Sequence, residues 1–194
     1  PESMTFDLTG KLLISTPAMG DPRFAHSVIY LCAHSGDGAF GLIINRSVRD
    51  LQLADVLDQL GISASGNVPA APVLLGGPVE AARGFVLYRS NCPEEPEGPD
   101  DPSRQPLADG LELTVSPKIL SEIARGEGPS DWLLALGYSG WGPGQLETEI
   151  ARLRAENEQL RIGRDFLRDA LREAALARIA NVLARTQEPT DGED

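Results

Sequence analysis

Histidine and cysteine are scarce in this 194-residue chain, with two of each. Two cysteines, Cys32 and Cys92, make no disulfide framework in a chain of this size. With His26 and His34 they could supply four zinc-type ligands. However, no pair has the Cys-x-x-Cys or His-x-x-x-His spacing of a metal site, so the expectation is no metal and no cofactor. Long apolar runs are missing too. None approaches the roughly 20 residues needed to cross a bilayer. The start, Pro1-Glu2-Ser3-Met4-Thr5-Phe6, lacks a basic segment followed by an apolar one, so no secretory signal is read there. These absences predict a cytoplasmic protein without a membrane partner. Aromatics are only 5% of residues, which leaves Leu, Ile, Val and Ala to build the core. Positive charge is also in deficit: the formal net charge is −12. Such a surface repels phosphate backbones, because nonspecific affinity for nucleic acid comes from Lys and Arg displacing counterions. Direct DNA binding is therefore not expected.

What remains is an ordinary globular composition with uneven charge. Residues 1–145 carry 9 Lys/Arg against 18 Asp/Glu, and residues 146–185 carry 8 Arg against 7 acids. Residues 186–194 hold four acids and no base, and read as an acidic disordered tail. The pattern divides the chain into a compact domain over 1–145, a long heptad-patterned helix over 146–185, and that tail.

Within the first segment, Leu12–Thr16 reads as a strand stopped by Pro17. Ser27–Cys32 and Ala39–Ile44 are β-rich runs flanking His34-Ser35-Gly36-Asp37-Gly38, and predict a hairpin. Leu53, Val56, Leu57 and Leu60 recur at i, i+3, i+4 and i+7, predicting a helix that Asp50 caps and Gly61 ends. Val73–Leu75, Gly84–Tyr88 and Leu111–Val115 read as strands. Between the last two, Cys92 to Pro106 holds five prolines and five acids and predicts an irregular loop. Ser116-Pro117 starts a helix with Ser as N-cap and Pro in the first turn, and Gly126 stops it. Trp132–Leu136 is the last strand, followed by a glycine-rich turn over Gly137–Gly144 that tucks Trp141 over the strand ends. Hairpin and crossover connections are mixed, which indicates an α+β fold rather than a doubly wound sheet.

Several blocks together resemble the YqgE/AlgH family of small bacterial proteins. They are Leu8–Ile14, Met19–Phe24, Ser27–Tyr30, Gly41–Arg46, Gly76–Val79, Arg83–Leu87 and Leu136–Glu147, in that order over about residues 6–150. The resemblance implies a complex mixed sheet, partly closed into a small barrel and flanked by helices. It implies little about activity. Members are generally uncharacterised, the name AlgH suggests a transcription-related role, and no catalytic set carries over. After Ile150 the chain departs from the family's usual ending.

The segment that replaces it resembles a leucine zipper. Leu146, Leu153, Leu160 and Leu167 fall every seven residues, and Ile150, Asn157, Arg164 and Leu171 fill the alternate seam positions. Leu at d with Asn at one a position is the pattern of a parallel two-stranded coil. Beyond Leu171 the stripe drifts to Ala175, Leu176, Ile179, Val182 and Leu183, as in a 3.6-period helix packed on a globular surface. Two readings stay open. The helix either self-associates through Leu146, Ile150, Leu153, Asn157, Leu160, Leu167 and Leu171 or packs against its own domain, with an unknown protein as a further possible partner.

Catalytic motifs do not assemble. Tyr138-Ser139-Gly140 is close to a nucleophile elbow, but Trp141 stands where the second glycine belongs, and both histidines precede Ser139. Gly76-Gly77-Pro78 lacks the lysine of a phosphate-binding loop and reads as a tight turn. Asp21, Asn45, Arg46 and Glu147 are polar residues inside apolar family blocks. They form the candidate ligand or partner site, with strand capping as the structural alternative. The sequence thus predicts a non-enzymatic regulatory or interaction protein. The alternative is a small-molecule-binding domain or weak enzyme with a pocket near Asp21, Asn45 and Arg46.

Overall fold

The computed structural model describes residues 7–64, 68–90 and 103–185, the last seven of these as backbone only. Cys92, most of the proline-rich stretch and the acidic tail lie outside them. The chain forms two compact units, one ending at Leu146 and the other beginning at Glu147.

Among the described residues the first unit is a curled nine-stranded sheet with two α-helices. Its strands are β1 (Leu12–Ile14), β2 (Val28–Ser35), β3 (Gly38–Ile43), β4 (Ser47–Gln52), β5 (Pro72–Leu75), β6 (Val79–Arg89), β7 (Arg104–Pro106), β8 (Leu111–Thr114) and β9 (Trp132–Trp141). Helix α1 spans Leu53–Gln59 and α2 spans Pro117–Ala124. The strand order is β1-β2-β3-β9-β6-β8-β7, with β5 branching from β9 and β4 added to β5. Strand β9 organises this arrangement. Its Trp132–Tyr138 stretch pairs antiparallel with β6. Across its other edge it meets β5 in parallel at Ala135 and Leu136, then β3 antiparallel from Ser139 to Trp141. The sheet curls into a half-barrel, as the family resemblance implied.

This corrects the expected turn. Only Gly142-Pro143-Gly144 turns; Tyr138-Ser139-Gly140-Trp141 continues the strand. The glycines serve close backbone approach. A Cβ on Gly77 would lie 2.1 Å from the Tyr138 carbonyl carbon, and one on Gly76 would lie 2.2 Å from the Gly137 oxygen. Gly137 itself has φ +72°, the left-handed region that favours glycine, where β9 changes partner from β5 to β3.

Two apolar clusters flank the sheet. One joins Leu53 and Leu57 of α1 and Ile119, Leu120 and Ile123 of α2 to Val73, Val86, Tyr88 and Leu134. The other fills the curl with Tyr30, Cys32, Leu42, Phe85, Leu87, Leu113 and Ala135. Alternation along β6 explains the split: Val86 and Tyr88 face the helices, and Phe85 and Leu87 face the curl.

Local chemistry accounts for the other differences from expectation. Helix α1 is capped at Gln52, whose backbone N–H donates to the Asp55 carboxylate at 2.7 Å; Asp50 instead sits in β4 with φ +57°. Strand β4 has only Val48 and Leu51 as apolar residues and an irregular register against β5, so it carries no clear alternation. The expected irregular loop closes with β7, a three-residue exposed edge strand in which Pro106 is tolerated as the last residue. Helix α2 starts as its sequence indicated, the Ser116 hydroxyl accepting from the Lys118 backbone N–H at 3.3 Å.

The second unit is carried by helix α3, which runs from Gln145 to Arg185.

Candidate functional site

Three of the four polar residues singled out from sequence converge on one loop, Ala18 to Ser27. Asp21 folds that loop on itself. Its carboxylate accepts from the Arg23 backbone N–H at 2.9 Å and from the Arg23 guanidinium at 2.7 Å. The Arg23 hydrogen bonds hold the Asp21 carboxyl below the usual carboxylate range. Asn45, just after β3, behaves like one more strand residue: its Oδ1 accepts from Val28 N at 2.8 Å and its Nδ2 donates to the His26 carbonyl at 2.9 Å. Arg46 donates to the Arg23 and Pro22 carbonyls at 2.7 and 3.3 Å. These groups satisfy backbone donors and acceptors where the chain leaves regular pairing. Glu147 lies in the first turn of α3 and belongs to the second unit.

The candidate nucleophiles are built into the core. Ser139 is fully buried, and its hydroxyl donates to the Gly76 carbonyl at 3.3 Å. Cys32 is also buried, and that burial pushes its thiol up to about 12, leaving it protonated and unreactive at neutral pH. His34 Nδ1 accepts from the Leu8 backbone N–H at 3.2 Å. Among the described residues no three His, Cys, Asp or Glu side chains gather where a metal ion could sit.

A cavity of about 790 Å³ opens elsewhere, on the curled face of the first unit. None of Asp21, Asn45, Arg46 and Glu147 lines it. Its apolar wall is a ring cluster: Phe40 lies 4.9 Å from Tyr138 and 5.5 Å from Phe85 between centroids. Strand β6 supplies the charged rim. Its register shifts between Val79 and Gly84, and the extra residues carry Glu80 and Arg83, which pair at 3.1 Å. Glu80 holds φ +45°, unusual for a residue with a long side chain. The Arg83 guanidinium stands 5.4 Å over the Phe85 ring. Gln105, Ser103 and Thr114 add polar groups. Apolar walls with a few convergent polar groups are the general make-up of a small-molecule site. Sequence reasoning missed it because its rings come from three separate strands. The available signal was Glu80-Ala81-Ala82-Arg83, a charged stretch between Gly-Gly-Pro and an apolar run.

A half-barrel with helices on one face and an aromatic-walled cavity within its curl defines a small α+β class. Comparison with known proteins gives the family. The AlgH-like family model, a domain of unknown function, matches residues 12–154, and the chain belongs to that family. A UPF0301 protein of Paracoccus denitrificans is 52% identical over 144 residues, covering 74% of each chain. One of Ruegeria pomeroyi is 53% identical over 145 residues, covering 74% of this chain and 75% of its own. The solution structure of the AlgH protein from Pseudomonas aeruginosa is similar with a TM-score of 0.61 at 39% identity, over 78% of this chain and 76% of that one. Among the described residues no helix is long and apolar enough to cross a membrane.

Proposed function

We propose that this chain is a cytoplasmic, non-enzymatic regulatory or interaction protein, transcription-related as the AlgH name suggests. In this reading it works by self-association and does not itself grip nucleic acid. The observation that carries it is the seam of α3. Leu160, Leu167 and Leu171 are 70%, 60% and 64% exposed, and they stand in heptad register with Ile150, Leu153 and Asn157. A repeated apolar stripe open to water on a long helix favours a partner. Leu146 is buried and Ile150 and Leu153 are half-buried, so the fully exposed leucines of the stripe begin at Leu160. The acidic surface and the balanced charge of α3 argue against a basic region that enters a DNA groove. Light scattering on the intact chain and on a chain ending at Ile150 tests the reading. The intact chain forms a larger species and the shortened one a monomer; two monomers at high micromolar concentration would refute it.

The cavity favours a second reading, in which the first unit binds a small planar molecule between the Phe40–Phe85–Tyr138 cluster and the Glu80–Arg83 rim. The test is a thermal-shift screen of small aromatic acids against the intact chain. A stabilising compound whose effect is lost in Arg83→Ala supports this reading, and a screen in which none shifts the melting temperature removes it.

A further inference from the structure

We infer that the partner of α3 is a second copy of the same helix, lying parallel and in register, selected by Glu149–Arg154 and Glu156–Arg161 pairs across the seam. The inference rests on the self-association reading and specifies its geometry. With Ile150, Asn157, Arg164 and Leu171 at a and Leu153, Leu160 and Leu167 at d, the flanking positions are settled by counting. The g positions are Glu149, Glu156, Gly163 and Ala170, and the e positions after the first are Arg154, Arg161 and Arg168. In a parallel in-register coil each g residue faces the e residue five places further along its partner. Glu149 then meets the partner's Arg154, and Glu156 meets the partner's Arg161. Both contacts repeat across the two-fold axis, so the first half of the seam has four opposite-charge pairs and no like-charge pair.

An antiparallel arrangement loses these pairs. It brings e residues beside e residues and g residues beside g residues, so Arg154 and Arg161 face arginines in the overlapped register, while Glu149 and Glu156 face g positions that hold no base. It also sets a layers against d layers. Asn157 would then lose its hydrogen-bonding twin and bury an amide against leucine. In the parallel form the two Asn157 amides share one layer and bond to each other, which penalises any slip by a heptad. Two of the intrachain pairs made by these charges, Arg152 with Glu156 and Arg161 with Glu158, are exposed and cost little to exchange.

The same count locates the weak end of the coil. Arg164 enters an a layer, where the parallel form places two guanidiniums near each other, and the neighbouring g position is Gly163, which offers no acid to either. Arg164 contacts Asp165 at 3.4 Å within its own helix and has a stem long enough to keep its charge in water. Register is therefore set between Ile150 and Arg161, and Leu167 and Leu171 extend the seam without selecting it.

The experiment uses the full chain with Cys92→Ser, so that buried Cys32 and the introduced residue are its two cysteines. Leu160→Cys is equilibrated in a glutathione buffer, and association is followed by analytical ultracentrifugation. The expected result is a dimer of the parent chain and a Leu160→Cys variant that becomes disulfide-linked at micromolar concentration. The double variant Arg154→Glu, Arg161→Glu is expected to dimerise at least about tenfold more weakly, because it sets Glu against Glu in both pairs. Mixing it with Glu149→Arg, Glu156→Arg restores a heterodimer. A parent chain that is monomeric throughout overturns both this inference and the self-association reading. A parent dimer without the disulfide overturns the parallel register alone. A parent dimer that the Arg154→Glu, Arg161→Glu change leaves equally tight overturns the charge selection alone.

Discussion

A methyl group is the smallest probe of how closely two backbones pass, and at Gly77 there is no room for one. The added carbon would overlap the Tyr138 carbonyl, which cannot move without disturbing the β9–β6 pairing of Tyr138 with Val79. Gly77→Ala is expected to destabilise the fold by about 3 kcal/mol or more, whereas Gly142→Ala, whose nearest neighbour is the Gln145 side chain at 3.9 Å, costs about 0.5 kcal/mol or less. Urea denaturation of the two variants measures the contrast. The sequence showed both glycines as family signatures but not their purpose, because the atoms that exclude a side chain from Gly77 lie about sixty positions further along the chain. Cys32 offers a second residue-scale test. In the unfolded chain its thiol ionises near 9, and in the folded chain only near 12. The folded state therefore holds the proton longer, and stability falls as pH rises between those values, by up to about 1.4 kcal/mol per pH unit for this group. Tyr88 adds to the decline at the upper end, since burial and its hydrogen bond to Glu112 raise its phenol as well. Urea melts between pH 8 and pH 10, using parent and Cys32→Ala chains, read the cysteine part; equal slopes would refute it.

Elements whose pattern is local were legible, and those defined by a distant partner were not. The β2–β3 hairpin and the Ser116-Pro117 start of α2 follow from neighbouring residues and stand where the sequence placed them. Strands β4 and β7 do not, because an edge strand with few buried side chains leaves little alternation to read. The second half of β9 reads as a turn in sequence for a related reason. Glycine weakens an isolated strand, yet Gly137 permits the close approach of β9 to Gly77 and to Val79 and Ala81 of β6. The candidate polar cluster illustrates the same limit: Asn45 and Arg46 stood out in sequence, but their targets were carbonyls some twenty positions earlier. For α3 the local signal is strong enough to predict from directly. Gly163 is helical and nothing lies near it, so Gly163→Ala should gain about 1 kcal/mol of helix stability. Arg164→Leu should tighten self-association further by removing the polar a layer. Helical circular dichroism on heating and sedimentation at several concentrations separate the two effects.

Across the whole molecule, the division of labour follows from where the buried side chains originate. Among the described residues both apolar clusters draw all their members from positions before 139. The family match ends at residue 154, and the heptad register takes over within the same turns of helix. The first unit thus holds both apolar clusters, and the helix holds the seam on which the proposed self-association rests. A chain ending at Ile150 keeps Leu146 and both clusters. It is therefore expected to unfold cooperatively within a few degrees of the first-unit transition of the intact chain, and to keep Cys32 unreactive toward thiol reagents in a Cys92→Ser background. Its melting temperature should not vary with concentration, whereas the helix transition of the intact chain should rise with concentration, because mass action stabilises whatever unfolds from an associated state. Calorimetry at two concentrations tests both halves at once. A shortened chain that exposes Cys32 would show that the half-barrel needs the helix to close, and a helix transition independent of concentration would show that α3 finds its partner within its own chain.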